Sequence, residues 1–170
     1  CKNTIIPKSV TSIGEEAFGG CNGLTSVTIP NSVTSIGGSA FYKCTGLTRV
    51  IIGNSVTYIS NYAFEYCSGL TSVTIGNSVT YIGVGAFDDT AWYNNQPDGL
   101  VYAGLVAYKY KGTMPSGTSI VLKEGTKGIA GNAFWDCSGL TSVTIGNSVT
   151  SIGNQAFYGC SGLTSVTIPN

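Results

Sequence analysis

The chain has 170 residues, 42% of them apolar and only 9% charged, and its eight basic side chains balance its eight acidic ones. A surface without net charge has no field that would attract a phosphate backbone or an anionic membrane, so nucleic-acid binding is disfavoured. No apolar run approaches the length needed to cross a bilayer, and membrane insertion is not expected.

The first residues match a later segment of the same chain. Residues 1–10 align with residues 24–33, which favours a chain that begins inside a repeat. A mature lipoprotein that starts at Cys1 is the alternative. The start has no basic and then apolar segment of the kind that is typical of a signal peptide.

The dipeptide Ala-Phe recurs along the chain at a regular interval. Its phenylalanines are Phe18, Phe41, Phe64, Phe87, Phe134 and Phe157. Their spacings are 23, 23, 23, 47 and 23 residues, and 47 is two periods plus one residue. One coil is therefore present but degenerate, and a period of this length is typical of solenoid repeats.

Each regular unit has the same order of local signals. Val27–Ile29 alternates with a period of two and predicts a strand with one buried face, and Pro30-Asn31 predicts a turn. Val33–Ile36 returns a second apolar pair to the core, and a short helical turn is predicted to carry Ala40-Phe41. No unit can bury its own apolar residues, so the coils are expected to stack in register as a solenoid.

A glycine precedes the main strand of each regular coil. The recurring residues are Gly23, Gly46, Gly69, Gly139 and Gly162. A positive φ or a tight approach of another backbone would explain why glycine returns at this position.

Five of the six cysteines also share one position of the repeat: Cys21, Cys44, Cys67, Cys137 and Cys160. We expect buried thiols there, because in-register side chains lie about 5 Å apart at Cβ, whereas a disulfide prefers about 3.8 Å. Zinc would need ligands clustered at short spacing, and the chain has no histidine, so no metal site is predicted.

The unit Leu-x-x-Val-x-Ile-Pro-x-x-Val-x-x-Ile-Gly-x-x-Ala-Phe-x-x-Cys resembles the BspA-like, Treponema-type leucine-rich repeats of bacterial surface proteins. The resemblance implies a right-handed leucine-rich-repeat superhelix with short parallel strands. It also implies a secreted or cell-surface protein that binds proteins or acts as an adhesin, with a host extracellular or cell-surface protein as a candidate partner. It carries over no catalytic residues. We expect one domain over residues 1–170, with regular coils at 1–87 and 126–170.

Residues 88–125 depart from the repeat. Leu100–Tyr102 and Leu105–Tyr108 flank Ala103-Gly104 and predict a β-hairpin. One interpretation is an insertion whose Trp92 covers the edge of the core. The other is a loop and hairpin that present four aromatic side chains to a protein or a glycan, namely Trp92, Tyr93, Tyr108 and Tyr110.

Four further binding candidates lie in the regular coils. The outward row of the main strands is nearly uniform Ser and Thr, and Arg49 and Ile51 interrupt it. This interruption disfavours an ice-binding lattice, which needs a flat and regular row. Tyr58 and Tyr81 share one repeat position and are expected to stack, either for recognition or as a cross-strand pair.

Catalysis is not predicted. Without histidine the usual Ser–His and Cys–His nucleophile systems are excluded, and no cofactor is expected. Carboxylates remain candidates for glycoside hydrolysis, and only Asp88, Asp89 and Asp98 form a local cluster. The predicted function is a non-catalytic extracellular protein-binding or adhesion scaffold. A glycan-binding module that uses Trp92 and Tyr93 and a carboxylate-based hydrolase are the alternatives.

Overall fold

The computed structural model describes residues 1–2 and 4–169. The elements in chain order are β1 (Ser12–Ile13), β2 (Ser26–Ile29), β3 (Ser35–Ile36), β4 (Arg49–Ile52), β5 (Tyr58–Ile59), β6 (Ser72–Ile75), β7 (Tyr81–Ile82), α1 (Ala91–Asn94), β8 (Gly99–Ala103), β9 (Val106–Lys111), β10 (Thr118–Val121), β11 (Gly128–Ile129), β12 (Leu140–Thr144), β13 (Ser151–Ile152) and β14 (Ser165–Thr167).

The regular coils stack with parallel strands on two faces. On the main face, β2, β4 and β6 form one sheet, and β10, β12 and β14 form another. On the second face, β1, β3, β5 and β7 pair in order, and Tyr58 faces Tyr81 across β5 and β7. Equivalent residues of successive coils pair directly, as Val27 does with Val50. The predicted solenoid of short parallel strands is confirmed.

Stacked phenylalanines form the centre of the core. Phe41, Phe64 and Phe87 are fully buried, and their ring centroids lie 5.0 and 5.2 Å apart with nearly parallel planes. Phe18 and Phe157 end two such ladders and are only partly buried. Parallel, in-register coils place equal side chains above one another, so each ring fills the space that its neighbours leave.

The Ala-Phe segments, predicted as short helical turns, are hydrogen-bonded turns instead. The amide of Phe18 donates to Ala40 O of the next coil at 2.7 Å, and Phe41 donates to Ala63 O at the same distance. These amides bond to a neighbouring coil, so they are not available for the bonds within one segment that an α-helix requires. Within the described residues, α1 is the one α-helix.

The recurring glycines are explained by close backbone approach. A Cβ on Gly69 would lie 2.6 Å from Thr45 O of the preceding coil, and one on Gly23 would lie 2.5 Å from Cys1 O. None of the five has a positive φ. Of the two explanations that the sequence left open, the tight approach is therefore confirmed.

The cysteines correct one expectation. Cys21 forms a disulfide with Cys1, which lies at a different repeat position 20 residues earlier, instead of keeping a free thiol. The expectation considered only cysteines at the same repeat position of adjacent coils, whereas this disulfide joins two different repeat positions. The predicted thiol state is confirmed for Cys44, Cys67, Cys137 and Cys160, although Cys160 is only partly buried. The thiols of Cys44, Cys67 and Cys160 each donate to a phenylalanine carbonyl of the preceding coil, as Cys67 Sγ does to Phe41 O at 3.0 Å.

The irregular coil contains the predicted hairpin. β8 and β9 pair antiparallel, and Gly104 in their turn has a φ of 59°. β9 also pairs in parallel with β11, so the hairpin extends the second face and not the main one. On the main face, β6 and β10 belong to separate sheets, and α1 lies in the intervening sequence.

At one edge of the solenoid, the coil before the irregular segment contacts the coil after it. The amide of Gly131 donates to Ile82 O at 3.0 Å, and the hydroxyl of Ser151 donates to Thr80 O. A Cβ on Gly131 would lie 2.7 Å from a methyl of Val84. The coil that follows the insertion therefore packs directly against the coil that precedes it at this edge.

Candidate binding surface

The aromatic residues of the irregular coil pack on the core. Tyr108 is buried, with 1% of its surface exposed, and its ring lies edge-on to Phe87 at 5.7 Å. Trp92 and Tyr93 are partly buried and pack against the same rings. The prediction that Tyr108 is presented to a partner is therefore corrected, because its ring continues the phenylalanine ladder.

A polar network holds Tyr108 in place. Its hydroxyl accepts a hydrogen bond from the amide of Phe87 at 2.9 Å and donates to Asp88 Oδ1 at 2.7 Å. The other oxygen of Asp88 forms an ion pair of 2.5 Å with Lys109. Burial first, and then the carboxylate of Asp88, raise the pKa of Tyr108 well above its ordinary value. The phenol is therefore a neutral donor at physiological pH.

Replacing Tyr108 with phenylalanine is expected to lower the free energy of unfolding by about 1–2 kcal/mol, because two hydrogen bonds are lost. The raised pKa of Tyr108 stabilises the fold at pH values below the ordinary tyrosine pKa of about 10. That contribution declines as the pH rises above about 10, since the unfolded chain then loses the proton first. Urea denaturation from pH 8 to 11 should show the difference between the two proteins narrowing. A constant difference would contradict this role.

The short helix is anchored from both sides. Thr90 caps it by accepting a hydrogen bond from the amide of Tyr93 at 3.1 Å, and Trp92 donates its amide to Leu70 O at 2.6 Å. Lys111 donates to Asn94 O and Gln96 O. Burial, followed by the carboxylate of Asp88, raises the pKa of Tyr93 to about 12. These contacts fit the interpretation that the insertion covers the edge of the core.

The remaining sequence candidates lie apart from Trp92. Tyr110 is partly buried against the core around Phe134, and its amide donates to Ala133 O as the ladder phenylalanines donate to an alanine carbonyl. Arg49 is exposed and Ile51 partly exposed on β4, the central strand of the first main sheet. Tyr58 and Tyr81 stack with centroids 4.6 Å apart, which confirms the expected stacking.

The third coil exposes three tyrosines within nine residues. Tyr58, Tyr62 and Tyr66 have 42%, 41% and 43% of their surfaces exposed. Tyr81 stacks on Tyr58, and Tyr42 contacts Tyr66 edge-on at 5.7 Å. We call the four tyrosines of these two pairs the tyrosine surface.

The sequence candidates did not include Tyr42, Tyr62 or Tyr66. A signal for them was available, since they occupy variable positions beside the constant Ala-Phe pair, where a core role is not required. Lys43 completes the surface, with its ammonium 5.1 Å from the ring centre of Tyr42 and 5.8 Å from that of Tyr66. A cation over two rings attracts both and favours one arrangement of these side chains.

The candidate carboxylates serve other contacts or lie in solvent. Asp88 is held by Lys109 and Tyr108, and Asp98 lies against Gly112. Burial raises the pKa of Glu65, and the carboxylates of Asp88 and Asp89 raise it further. In the part of the chain that the structure describes, no group of three or more His, Cys, Asp or Glu could hold a metal ion. No helix of that part has the length and apolar character to cross a membrane.

Comparison with known proteins gives one family and several solved structures. The model of the BspA type leucine rich repeat region matches six copies over residues 1–96 and 106–170. A leucine rich repeat protein of T. pallidum is 26% identical with a TM-score of 0.55, and the match covers 96% of this chain and 67% of that one. No curated protein matches the chain significantly.

Two further solved structures match with lower TM-scores. A leucine rich cell surface protein of Faecalibacterium prausnitzii is 25% identical with a TM-score of 0.40, over 94% of this chain and 65% of that one. The pneumococcal vaccine antigen PcpA is 19% identical with a TM-score of 0.43, over 95% and 43%. The chain thus spans between 43% and 67% of the length of these three proteins.

Proposed function

Because the chain belongs to the BspA-type leucine-rich repeat family, we propose that it is a non-catalytic scaffold of a bacterial surface protein and binds a protein partner outside the cell. The observation that carries this proposal is the tyrosine surface. A rigid stack of coils holds its rings, so little conformational freedom is lost when a partner covers them.

The composition of the tyrosine surface favours a protein partner. Tyrosine is among the residue types enriched in binding hot spots, because it buries a large apolar ring and keeps a hydroxyl for hydrogen bonding. Burial raises the pKa of Tyr81, and the neighbouring Tyr58 adds to the rise, so the phenol of Tyr81 stays protonated at physiological pH. Lys43 supplies a cation at the rim of the surface. Large aromatic groups with a charged rim are typical of protein interfaces.

A disulfide bond in the chain supports an extracellular location. Cys1 and Cys21 form a disulfide, and such bonds persist mainly in oxidising compartments outside the cytosol. The low charged fraction of 9% fits a partner recognised through aromatic and hydroxyl groups and not through a strong field.

Replacing Tyr58 and Tyr66 together with alanine is expected to weaken binding to the partner by about thirty-fold or more, since a hot-spot residue contributes about 2 kcal/mol. The probe is a panel of purified extracellular-matrix and host cell-surface proteins, tested by surface plasmon resonance. Both side chains are more than two-fifths exposed, so the double variant is expected to keep its stability.

A matched variant on the main sheet tests whether the partner binds at the tyrosine surface. Arg49→Ala on the main sheet removes an exposed, long side chain without touching the tyrosine surface, and binding should be unchanged. Loss of binding in Arg49→Ala but not in the double tyrosine variant would move the site to the main sheet. Absence of binding to every protein of the panel would overturn the proposed function.

A further inference from the structure

We propose that a shallow cleft at the turn edge of the solenoid binds a neutral glycan. The cleft is lined by Asn61, Tyr62, Val84, Asn132, Trp135, Asn154 and Gln155. This site goes beyond the proposed protein-binding function and does not depend on it. It also differs from the sequence alternative at Trp92 and Tyr93, which lie elsewhere in the fold.

The cleft lies at the edge where the coils before and after the insertion contact each other directly. Four coils contribute the two residues that precede their alanine: residues 61–62, 84–85, 131–132 and 154–155. The hydrogen bond from Gly131 to Ile82 O places the second and third of these pairs side by side, although 47 residues separate them in sequence. The row of equivalent positions therefore continues across the irregular coil, and residues far apart in sequence line one cleft.

Two buried glycines lie against side chains that line the cleft. The Tyr62 ring lies over Gly85, where a Cβ would be 2.8 Å from a ring carbon, and Gly85 has a φ of 63°. Val84 packs against Gly131, where a Cβ would be 2.7 Å from the valine methyl. Larger residues at either glycine would fill the cleft or displace its walls. The shape is thus a consequence of glycine at two neighbouring positions.

Trp135 is a preorganised aromatic wall. Its indole stacks on the Tyr158 ring, with centroids 4.3 Å apart and planes 20° from parallel. With 39% of Trp135 exposed, the ring can still contact a ligand in the cleft. The aliphatic C–H face of a sugar ring packs well on such a ring, because the negative π face attracts the polarised hydrogens.

Four side-chain amides supply the polar contacts. Asn61 Oδ1 accepts a hydrogen bond from the Val84 amide at 2.9 Å, which orients the side chain and leaves its NH₂ group as a donor. Asn132 Oδ1 is buried and has no hydrogen-bond partner among the described residues. This oxygen is closed to solvent, so the cleft meets Asn132 through the other atoms of its side chain. Neighbouring hydroxyls of a sugar match planar amides, which combine donors and an acceptor.

The absence of charge in the cleft selects against other ligands. All seven lining residues are uncharged, so neither a phosphate nor a charged peptide would find a partner for its charge. Neutral hydroxyl-rich rings lose no ionic hydration on entering such a site. The combination of two aromatic walls and four amides therefore points to neutral hexose or N-acetylhexosamine units.

The test is isothermal titration of the intact protein with neutral oligosaccharides, namely chitotriose, maltotriose and cellotriose, and with a sialylated trisaccharide as the charged counter-probe. At least one neutral probe should bind, and Trp135→Ala should weaken it about ten-fold or more. Asn154→Ala, at a position where the other coils have Glu, Gly, Asn or Val, should also weaken it. Tyr66→Ala is the matched control, since it removes an equally exposed aromatic ring outside the cleft and should leave sugar affinity unchanged.

Two outcomes would overturn the proposal. One is that no neutral oligosaccharide binds, or that the sialylated probe binds in preference to all of them. The other is that binding is unaffected by both Trp135→Ala and Asn154→Ala, since the sugar would then lie elsewhere. Circular dichroism of each variant shows whether the fold is retained. A protein partner that still binds Trp135→Ala would separate this site from the tyrosine surface.

Discussion

Replacing Phe64 with alanine is expected to lower the free energy of unfolding by about 3–5 kcal/mol. Phe64 is fully buried and stacks between Phe41 and Phe87, with centroids 5.0 and 5.2 Å away. Removing the ring leaves a cavity that parallel, hydrogen-bonded coils cannot close, because the amide of Phe64 is bonded to Ala86 O. Urea denaturation followed by circular dichroism measures the shift of the midpoint.

The same substitution at Phe157 is the matched control. Phe157 stacks only on Phe134, at 5.3 Å, and is partly exposed at the end of its ladder. Less surface is withdrawn from water there, and neighbouring side chains have room to relax, so a smaller loss is expected. Equal losses at the two positions would mean that the ladder position does not determine the contribution of a ring.

Periodicity was sufficient to predict the parts of the fold that repeat. Val27 and Ile29 alternate in the strand as expected, and the Phe ladder follows from equal residues in stacked coils. The hairpin of β8 and β9 was also predictable, because its two apolar runs flank a short turn with a glycine. These features depend on local signals or on repetition, and both can be counted in one sequence.

Contacts that join non-equivalent positions could not be predicted in this way. The disulfide between Cys1 and Cys21 links two coils at different repeat positions. Tyr108 lies in the segment where the period is lost, so no repeat position indicated that its ring would be buried. The cleft depends on Gly131 lying beside Val84, which follows from the path of the insertion. Such contacts depend on the tertiary structure, and the spacing of residues in the sequence alone does not determine them.

The exposed aromatic residues beside the Ala-Phe pairs and the candidates on the main sheet follow from different sequence signals. Arg49 and Ile51 were selected because they interrupt a regular row. Trp135 and Tyr62 interrupt no row, since the positions before and after Ala-Phe vary in every coil. Variable positions are where a repeat protein can change its surface without altering its core. Tyr42, Tyr66 and Trp135 all occupy such variable positions.

Replacing Gly69 with alanine is expected to lower the free energy of unfolding by about 3 kcal/mol, near the upper end for an overpacked site. Its new Cβ would lie 2.6 Å from Thr45 O and 3.3 Å from Leu47 O, both of them backbone atoms of the preceding coil. A side chain could rotate away, but these carbonyls are part of the stacked backbone, so the coils must separate.

Gly146→Ala is the matched control, because a Cβ there would meet nothing within 4 Å and the residue has no positive φ. Its midpoint of urea denaturation should be unchanged or slightly higher, since alanine restricts the unfolded chain more than glycine does. If Gly69→Ala behaved like Gly146→Ala, close packing of coils would not be the reason why glycine recurs before the main strand. A large loss at Gly69 alone would instead mean that the spacing between coils is set by backbone contact at these glycines, with the apolar ladders filling the distance that remains.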